Sequence, residues 1–385
     1  MNPIAEFDII VHGATGFTGR LVAEHLHARY GNGGPVKWAM SGRSLEKLQA
    51  VRDEIGAPAD TPLIVADAAD PASLNAMVMR TKSVVTTVGP YQLYGEPLVA
   101  ACADAGTDYL DLSGEPAWMA QMLPLYDAAA RASGARILFS CGFDSIPFEL
   151  GVFYTQALAR RHLGHPVGHI SGRVRDMRGG LSGGTAASGR ATMAAIQKDP
   201  SLLAVMFDPF ALTPGFTGPD QPRGDKPRFD DLLGVEVGPF MMAAINTKNV
   251  HRSNLLQNHA YGAGFTYDEM AIVADGAQTE FPSLTGDDVP KPGEGPSKDE
   301  RETGFYDLLF VGVDAAGRQV RGAVHGDKDP GYASTSKLIA ETAICLVHER
   351  ADVPGGIWVA GAALGQSLVD RLHAHAGLTF SDETP

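Results

Sequence analysis

The chain has 385 residues, 44% of them hydrophobic and 20% charged, with a formal net charge of −14; this is the composition of a globular protein with room for two domains. The acidic balance argues against a general nucleic-acid binder, which needs a basic surface. Cys102, Cys141 and Cys345 are too few and too scattered for a disulfide framework or a zinc ribbon, and no leader pattern or run of about 18 apolar residues is visible. A reducing, cytoplasmic setting is expected, with peripheral contact to a membrane left open.

Strand and helix signals alternate over roughly the first 145 residues, which predicts a parallel sheet with crossover helices. Strands are expected at Phe7–Val11, Val36–Met40, Leu63–Ala66, Ser83–Val88, Tyr109–Leu112 and Arg136–Ser140. Between them, Ser44 reads as the N-cap of a helix from Leu45 to Ile55 that Gly56 ends. Asp70 followed by Pro71 reads as a helix start. Further helices are expected at about Pro97–Ala105 and Pro116–Ala132. After Gly151 comes a helix of about a dozen residues, then a Gly-rich, strand-like region from His169 to Gly189. Stretches rich in Pro, Gly and Asp at Asp208–Arg228 and Pro282–Pro296 read as loops. Phe305–Val313 and Gln319–His325 read as two strands joined by a turn, and Ser334 to about Glu349 as a helix. The expected fold class is therefore α/β. It comprises a doubly wound parallel sheet of Rossmann type over residues 1–148, a second α+β domain of mixed or antiparallel sheet over 149–330, and a helical segment over 331–385 that returns to the first domain.

The sharpest signal lies between the first strand and its helix. Gly13-Ala14-Thr15-Gly16-Phe17-Thr18-Gly19 forms a glycine-rich turn of spacing G-x-x-G-x-x-G. In this context the first glycine permits the turn, the second admits a pyrophosphate to the backbone, and the third lets helix and strand approach. Free N–H groups and the helix dipole favour an anion there. An NAD site usually has a carboxylate at the end of strand two. Here the sequence is Ser41-Gly42-Arg43, and a guanidinium pairs with a 2′-phosphate where a carboxylate would repel it. NADP is therefore favoured over NAD. Asp67, after strand three, is placed to meet the adenine edge or to form a turn. Val88-Gly89-Pro90-Tyr91, after strand four, lies where a nicotinamide would pass.

Several segments resemble the saccharopine dehydrogenase-like oxidoreductases. They are the glycine fingerprint, Thr87–Gly95, Tyr109–Glu115, Cys141-Gly142-Phe143-Asp144-Ser145-Ile146-Pro147, Gly179–Thr185, and Gly331-Tyr332 before a helix. Within that family the chain is most similar to bacterial trans-acting enoyl reductases. The resemblance implies an NADP-linked fold and reduction of a carbon–carbon double bond in a polyketide-type or lipid-type intermediate. It also implies a modular synthase as partner, with the substrate carrier-bound; a homodimer is left open.

Such a reduction needs polarisation of a thioester carbonyl and a proton for the α-carbon. Tyr91, Tyr94, Glu115, Asp144 and Ser145 are the candidates for this polar work, Tyr91, Asp144 and Ser145 foremost. Glu115, Asp144 and Ser145 have helix caps as their plain alternative. No metal site is expected, because His162, His165 and His169 lack a matching carboxylate cluster. Two other functions stay open: a saccharopine-type amino-acid dehydrogenase, with Arg173, Arg175 and Arg178 available for a substrate carboxylate, and a non-catalytic NADP-binding scaffold.

Overall fold

The structure, a computed structural model, describes residues 5–180, 182–273, 290–291 and 293–385. Leu181 in the Gly179–Thr185 segment and most of the expected Pro282–Pro296 loop lie outside the described residues.

Seven parallel strands form the first sheet: β1 (Phe7–His12), β2 (Trp38–Gly42), β3 (Leu63–Val65), β4 (Thr81–Thr86), β5 (Asp108–Leu110), β6 (Arg136–Leu138) and, from far along the chain, a strand at Gly356–Trp358. In space β1, β2 and β3 run outward from one side of the centre, and β4, β5, β6 and Gly356–Trp358 from the other. A parallel sheet is covered on both faces, so its strands are apolar throughout. All six residues of β1 are buried, with Ile9 and Val11 in one core and Ile10 in the other. The intervening helices start and stop within a residue of the expected positions. Ser44 accepts from the Lys47 N–H at 3.3 Å, Asp70 accepts from the Ala72 N–H at 3.0 Å ahead of Pro71, and Gly106 ends its helix at φ 75°.

The second sheet is mixed. It contains β7 (His169–Arg178), β8 (Arg228–Asp230), β9 (Val235–Pro239), β10 (Thr266–Ile272), β11 (Phe305–Val313), β12 (Gln319–Gly326) and a last strand at Leu378–Asp382. Only β7 and β10 pair in parallel; β11 lies antiparallel to both β7 and β12. Helix Ile146–Leu163 joins the two sheets. Gly151 lets it lie close on β11, because a Cβ there would meet the Phe310 ring at 2.1 Å.

Two expectations are corrected. The strand-like reading of His169–Gly189 fails after Arg178. Ser182 accepts from the Thr185 N–H and starts a helix over Gly183–Lys198, where Ala, Ser and Thr outnumber branched apolar residues. The segment after residue 330 is not wholly helical either. Helices Thr335–Ile344 and Ala360–His375 alternate with β13 (Gly356–Trp358), which pairs with β6, and β14 (Leu378–Asp382), which pairs with β12. Three residues are too short to show a period, so β13 carries no strand pattern of its own. Glu341 fastens this segment to the first domain. Its carboxylate accepts from Tyr30 Oη and Arg371 at 2.8 Å and pairs with His25 Nε2 at 2.8 Å.

Candidate functional site

The turn after β1 is shaped for close approach to an anion. Gly13 has φ +90°, and a Cβ on it would meet Thr87 Oγ1 and Val88 Cγ2 at 2.8 Å. Gly19 is tighter, since a Cβ there would lie 2.2 Å from the Gly13 carbonyl oxygen. Gly16 is the N-cap of helix Phe17–Tyr30, with no side-chain cap and no acidic residue in the first turn. The first N–H groups of that helix are left for an outside acceptor, and no carboxylate opposes one. These features fit a dinucleotide pyrophosphate. Ala14 is buried, and its N–H, like that of Gly13, donates to the Ser41 carbonyl. Thr15 and Thr18 are half-buried beside the exposed Gly16.

Phe17 turns away from the first sheet. Its ring meets Tyr332 edge-on at 5.2 Å, with the Arg301 guanidinium 5.4 Å from its centroid. Tyr332 Oη in turn accepts from the Ser182 N–H and bonds Thr185 Oγ1 at 2.8 Å. The fingerprint is thereby tied to the start of helix Gly183–Lys198.

On the adenosine side, Arg43 is exposed and makes no hydrogen bond or ion pair among the described residues. It stands just past β2 with its guanidinium free for a phosphate. Ser41 is a correction: its hydroxyl is sealed inside, donating to Met77 Sδ and 3.2 Å from His12 Nδ1, so it holds the turn through its carbonyl and presents nothing to a ligand. Asp67 takes the turn-forming alternative, its carboxylate accepting from the Ala69 N–H at 3.0 Å.

On the other side of the sheet's centre, Val88, Gly89 and Pro90 follow β4. Gly89 is exposed, and Ser188 Oγ of helix Gly183–Lys198 lies 3.7 Å from where its Cβ would be. Gln92 Nε2 donates to Thr192 Oγ1 at 3.1 Å, so that helix passes over the loop. Tyr91, expected as a catalytic group, is a strut. It is buried, its hydroxyl donates to the Thr86 carbonyl at 3.2 Å and accepts from the Leu112 N–H at 3.1 Å. Burial, with Asp111 nearby, pushes that phenol well above its ordinary value. Glu115 is also a cap, but for a different helix: it accepts from the N–H groups of Tyr91 and Gln92 at 3.0 and 2.7 Å. Tyr94 is exposed.

Asp144 and Ser145 follow β6. Ser145 is fully buried and accepts from Asn249 Nδ2 at 2.7 Å. Asp144 Oδ1 is sealed from solvent with no hydrogen-bond partner among the described residues, and burial pushes its carboxyl up to about 7. Facing them is helix Ala243–Leu256, a polar segment that is nevertheless buried at Asn246, Lys248, Asn249, His251, Arg252, Ser253 and Asn254. Its cations are committed to backbone carbonyls. Lys248 Nζ donates to Met206 and Ala244 at 2.8 Å, and Arg252 to Leu212 and Ile357 at 2.8 and 2.6 Å. Asn246 Nδ2 donates to Glu269 Oε1 of β10 at 2.7 Å. No local pattern pointed to Asn246, Asn249 or Glu269; the only signal was an unbroken polar run without Gly or Pro between two loop-rich regions.

Comparison with known proteins agrees with this geometry. Residues 9–138 match the saccharopine dehydrogenase NADP binding domain. Saccharopine dehydrogenase (L-Glu forming) from Saccharomyces cerevisiae has the same fold, with a TM-score of 0.57 over 98% of this chain and 99% of that one at 11% identity. The matched segment is thus an NADP-binding domain of the saccharopine dehydrogenase type, set in a chain of the same fold. A Mycobacterium tuberculosis protein named provisionally as a trans-acting enoyl reductase is 38% identical over 97% of each chain. The trans-acting enoyl reductases of Mycobacterium bovis and Mycobacterium ulcerans are each 37% identical over 95% of this chain and 96% of their own. The chain belongs to this family of trans-acting enoyl reductases.

Proposed function

We propose that this chain reduces the carbon–carbon double bond of an α,β-unsaturated acyl thioester, the acyl group being polyketide- or lipid-type and carried by a partner synthase. The observation that carries the reading is Asp144, a half-buried carboxyl with one sealed oxygen that has no partner among the described residues, at the carboxyl edge of the first sheet, where open α/β sheets bind their ligands. Bound NADPH supplies the hydride.

The residues of this chain divide the remaining work. Gly13, Thr15, Gly16, Phe17, Thr18 and Gly19 seat the pyrophosphate, Arg43 the 2′-phosphate, and Val88, Gly89 and Pro90 border the nicotinamide. Asp144 protonates the α-carbon, and Ser145 holds Asn249 in place beside it. Leu93 and Tyr94 on one side of the Gln92–Thr192 bond, and Met193 on the other, are exposed apolar side chains suited to an acyl chain. The amino-acid dehydrogenase alternative loses its carboxylate anchors. Arg173 is paired with Asp230 and Asp268, Arg175 with Asp307 and Glu383, and Arg178 donates to Thr303.

The test is NADPH oxidation against a panel of enoyl thioesters of increasing chain length and of keto acids with amines. Turnover is expected with the enoyl thioesters alone, with KM falling by about fourfold per methylene added, since each buried CH₂ contributes about 0.8 kcal/mol. Turnover confined to keto acids overturns the reading in favour of an amino-acid enzyme. Tight NADPH binding without oxidation by any acceptor overturns it in favour of a scaffold.

A further inference from the structure

Two segments marked by their glycines, at Gly179-Gly180 and at Gly331-Tyr332, meet in the fold. A Cβ on Gly179 would come 2.7 Å from Pro330 Cδ, and one on Gly180 would come 2.9 Å from Pro296 Cβ. The chain leaving β7 therefore packs its bare backbone on the turn that carries Tyr332. Asp329 sets that turn. It is wholly buried, and its carboxylate accepts from the Tyr332 and Ala333 N–H groups at 3.1 and 2.7 Å. The Tyr332 ring is buried edge-on against Phe17 of the fingerprint, and its Oη accepts from the Ser182 N–H and bonds Thr185 Oγ1 at 2.8 Å. Thr185 begins a stripe: Thr185, Ser188 and Thr192 stand at i, i+3 and i+7 of helix Gly183–Lys198 and so share one face. The first is tied to Tyr332 and the last to Gln92. Ser188 lies between the two ties. It is half-buried, its Oγ is 3.7 Å from where a Cβ on Gly89 would be, and it makes no hydrogen bond among the described residues. A hydroxyl can donate one hydrogen bond and accept two, so this one is open to a ligand at the loop after β4.

We propose that Ser188 is a binding residue for the nicotinamide half of NADPH, its hydroxyl meeting the carboxamide, and that Tyr332 is its positioning residue. This rests on the NADPH-dependent reductase reading and deepens it. Tyr332 reaches both halves of the dinucleotide site. Its ring packs on Phe17, in the first turn of the helix that receives the pyrophosphate, and its hydroxyl holds the start of the helix that brings Ser188 over Gly89.

A phenylalanine at position 332 separates the two contacts of the tyrosine. It keeps the ring packing and removes the hydroxyl alone. The N–H of Ser182, a buried residue, is then left unpaired at the head of the helix, and an unpaired buried donor is costly, so the first turn of the helix shifts or frays. Ser188 is displaced with it. The adenosine side, where Arg43 stands beyond β2, has no part in these contacts.

The experiment titrates NADPH, and adenosine 2′,5′-bisphosphate as a probe of the adenosine half alone, into the wild type, S188A, Y332F, T185V and the S188A/Y332F double variant. Hydrogen exchange of the amides of helix Gly183–Lys198 is followed in the same proteins without nucleotide. S188A and Y332F should each raise the Kd for NADPH about fivefold, the loss expected of one hydrogen bond, and leave that for the bisphosphate unchanged. Y332F should speed exchange in the first turn of the helix, and S188A should not. T185V, which cuts the tie at an exposed residue and stands in should Y332F not fold, should repeat Y332F to a lesser degree in both readouts. The double variant should lose little more than the larger single loss, because both changes remove the same contact; multiplied losses of about 25-fold overturn the positioning role. Parallel losses of NADPH and bisphosphate affinity in Y332F mark a general structural effect and overturn it as well. Unchanged NADPH affinity in S188A overturns the contact itself. If the wild type turns over no enoyl thioester, the enoyl-reductase reading fails, and the binding and exchange measurements still decide the roles of Ser188 and Tyr332.

Discussion

In the proposed reading, Arg43 decides which nicotinamide nucleotide the site prefers. Its guanidinium is exposed and has no partner among the described residues, just beyond β2, where the ribose of the adenosine half is expected. A hydrogen bond to a charged group contributes about 1.5–3 kcal/mol. Arg43→Ala should therefore raise the Kd for NADPH by about 10- to 100-fold and leave that for NADH almost unchanged, as read by fluorescence titration. Equal losses for both nucleotides remove the basis for the preference. The sequence raises this expectation by itself, because the type of side chain after strand two suffices for the argument. The role of Tyr91 could not be read that way. Its position after strand four was correct, but its role depends on Thr86 and Leu112, whose backbone groups meet the phenol only in the folded chain.

Elements with periodic apolar residues and clear caps could be read directly. The strands and helices up to β6 follow the alternation, with shifts of at most two residues at their ends, because a sheet buried on both faces shows itself as apolar runs. Helix Ala243–Leu256 shows the opposite case. Its sequence, AAINTKNVHRSNLL, reads as a solvated face, yet most of it is buried. Polar groups tolerate burial only with partners, and these partners, the carbonyls of Met206, Leu212 and Ile357 and the carboxylate of Glu269, lie outside the segment. Helix Gly183–Lys198 was misread for a related reason. Its small residues suit a close-lying cover over Gly89 and Tyr332 better than a core-facing stripe, so no period marks it.

The two sheets share one core through helix Ile146–Leu163, and the charges they enclose give the fold a pH dependence. Burial pushes Asp111 and Asp144 up to about 7 and Glu149 and Glu269 up to about 8. A carboxyl raised in the folded state gives stability that is complete below its unfolded value and is lost as pH rises through the folded one. Stability should therefore increase as pH falls from about 8.5 to about 6.5. Below that the gain slows, because His12 and His251, both pushed down to about 4 by burial, resist the protonation that the unfolded chain accepts. Glu149 tests this at a single buried carboxyl. Its Oε2 accepts from the Gly361 N–H at 3.2 Å and its Oε1 has no hydrogen-bond partner among the described residues. Glu149→Gln should flatten the dependence by on the order of 2 kcal/mol between those pH values, measured by chemical denaturation. A wild type more stable at the alkaline end contradicts the assignment.

What remained hidden in the sequence is the meeting of distant parts: β13 completing the first sheet, Tyr332 reaching Phe17, and Asn249 reaching Ser145 beside Asp144. The proposed reduction is tested most directly by isotopic labelling. An enoyl thioester is reduced in heavy water with ordinary NADPH, and in ordinary water with NADPH deuterated at its transferable position, and the acyl product is examined by mass spectrometry. The account predicts a saturated product with a single solvent deuterium at the α-carbon in the first case and a single cofactor deuterium at the β-carbon in the second. Recovery of the thioester still unsaturated, or cofactor label at any other carbon, contradicts it.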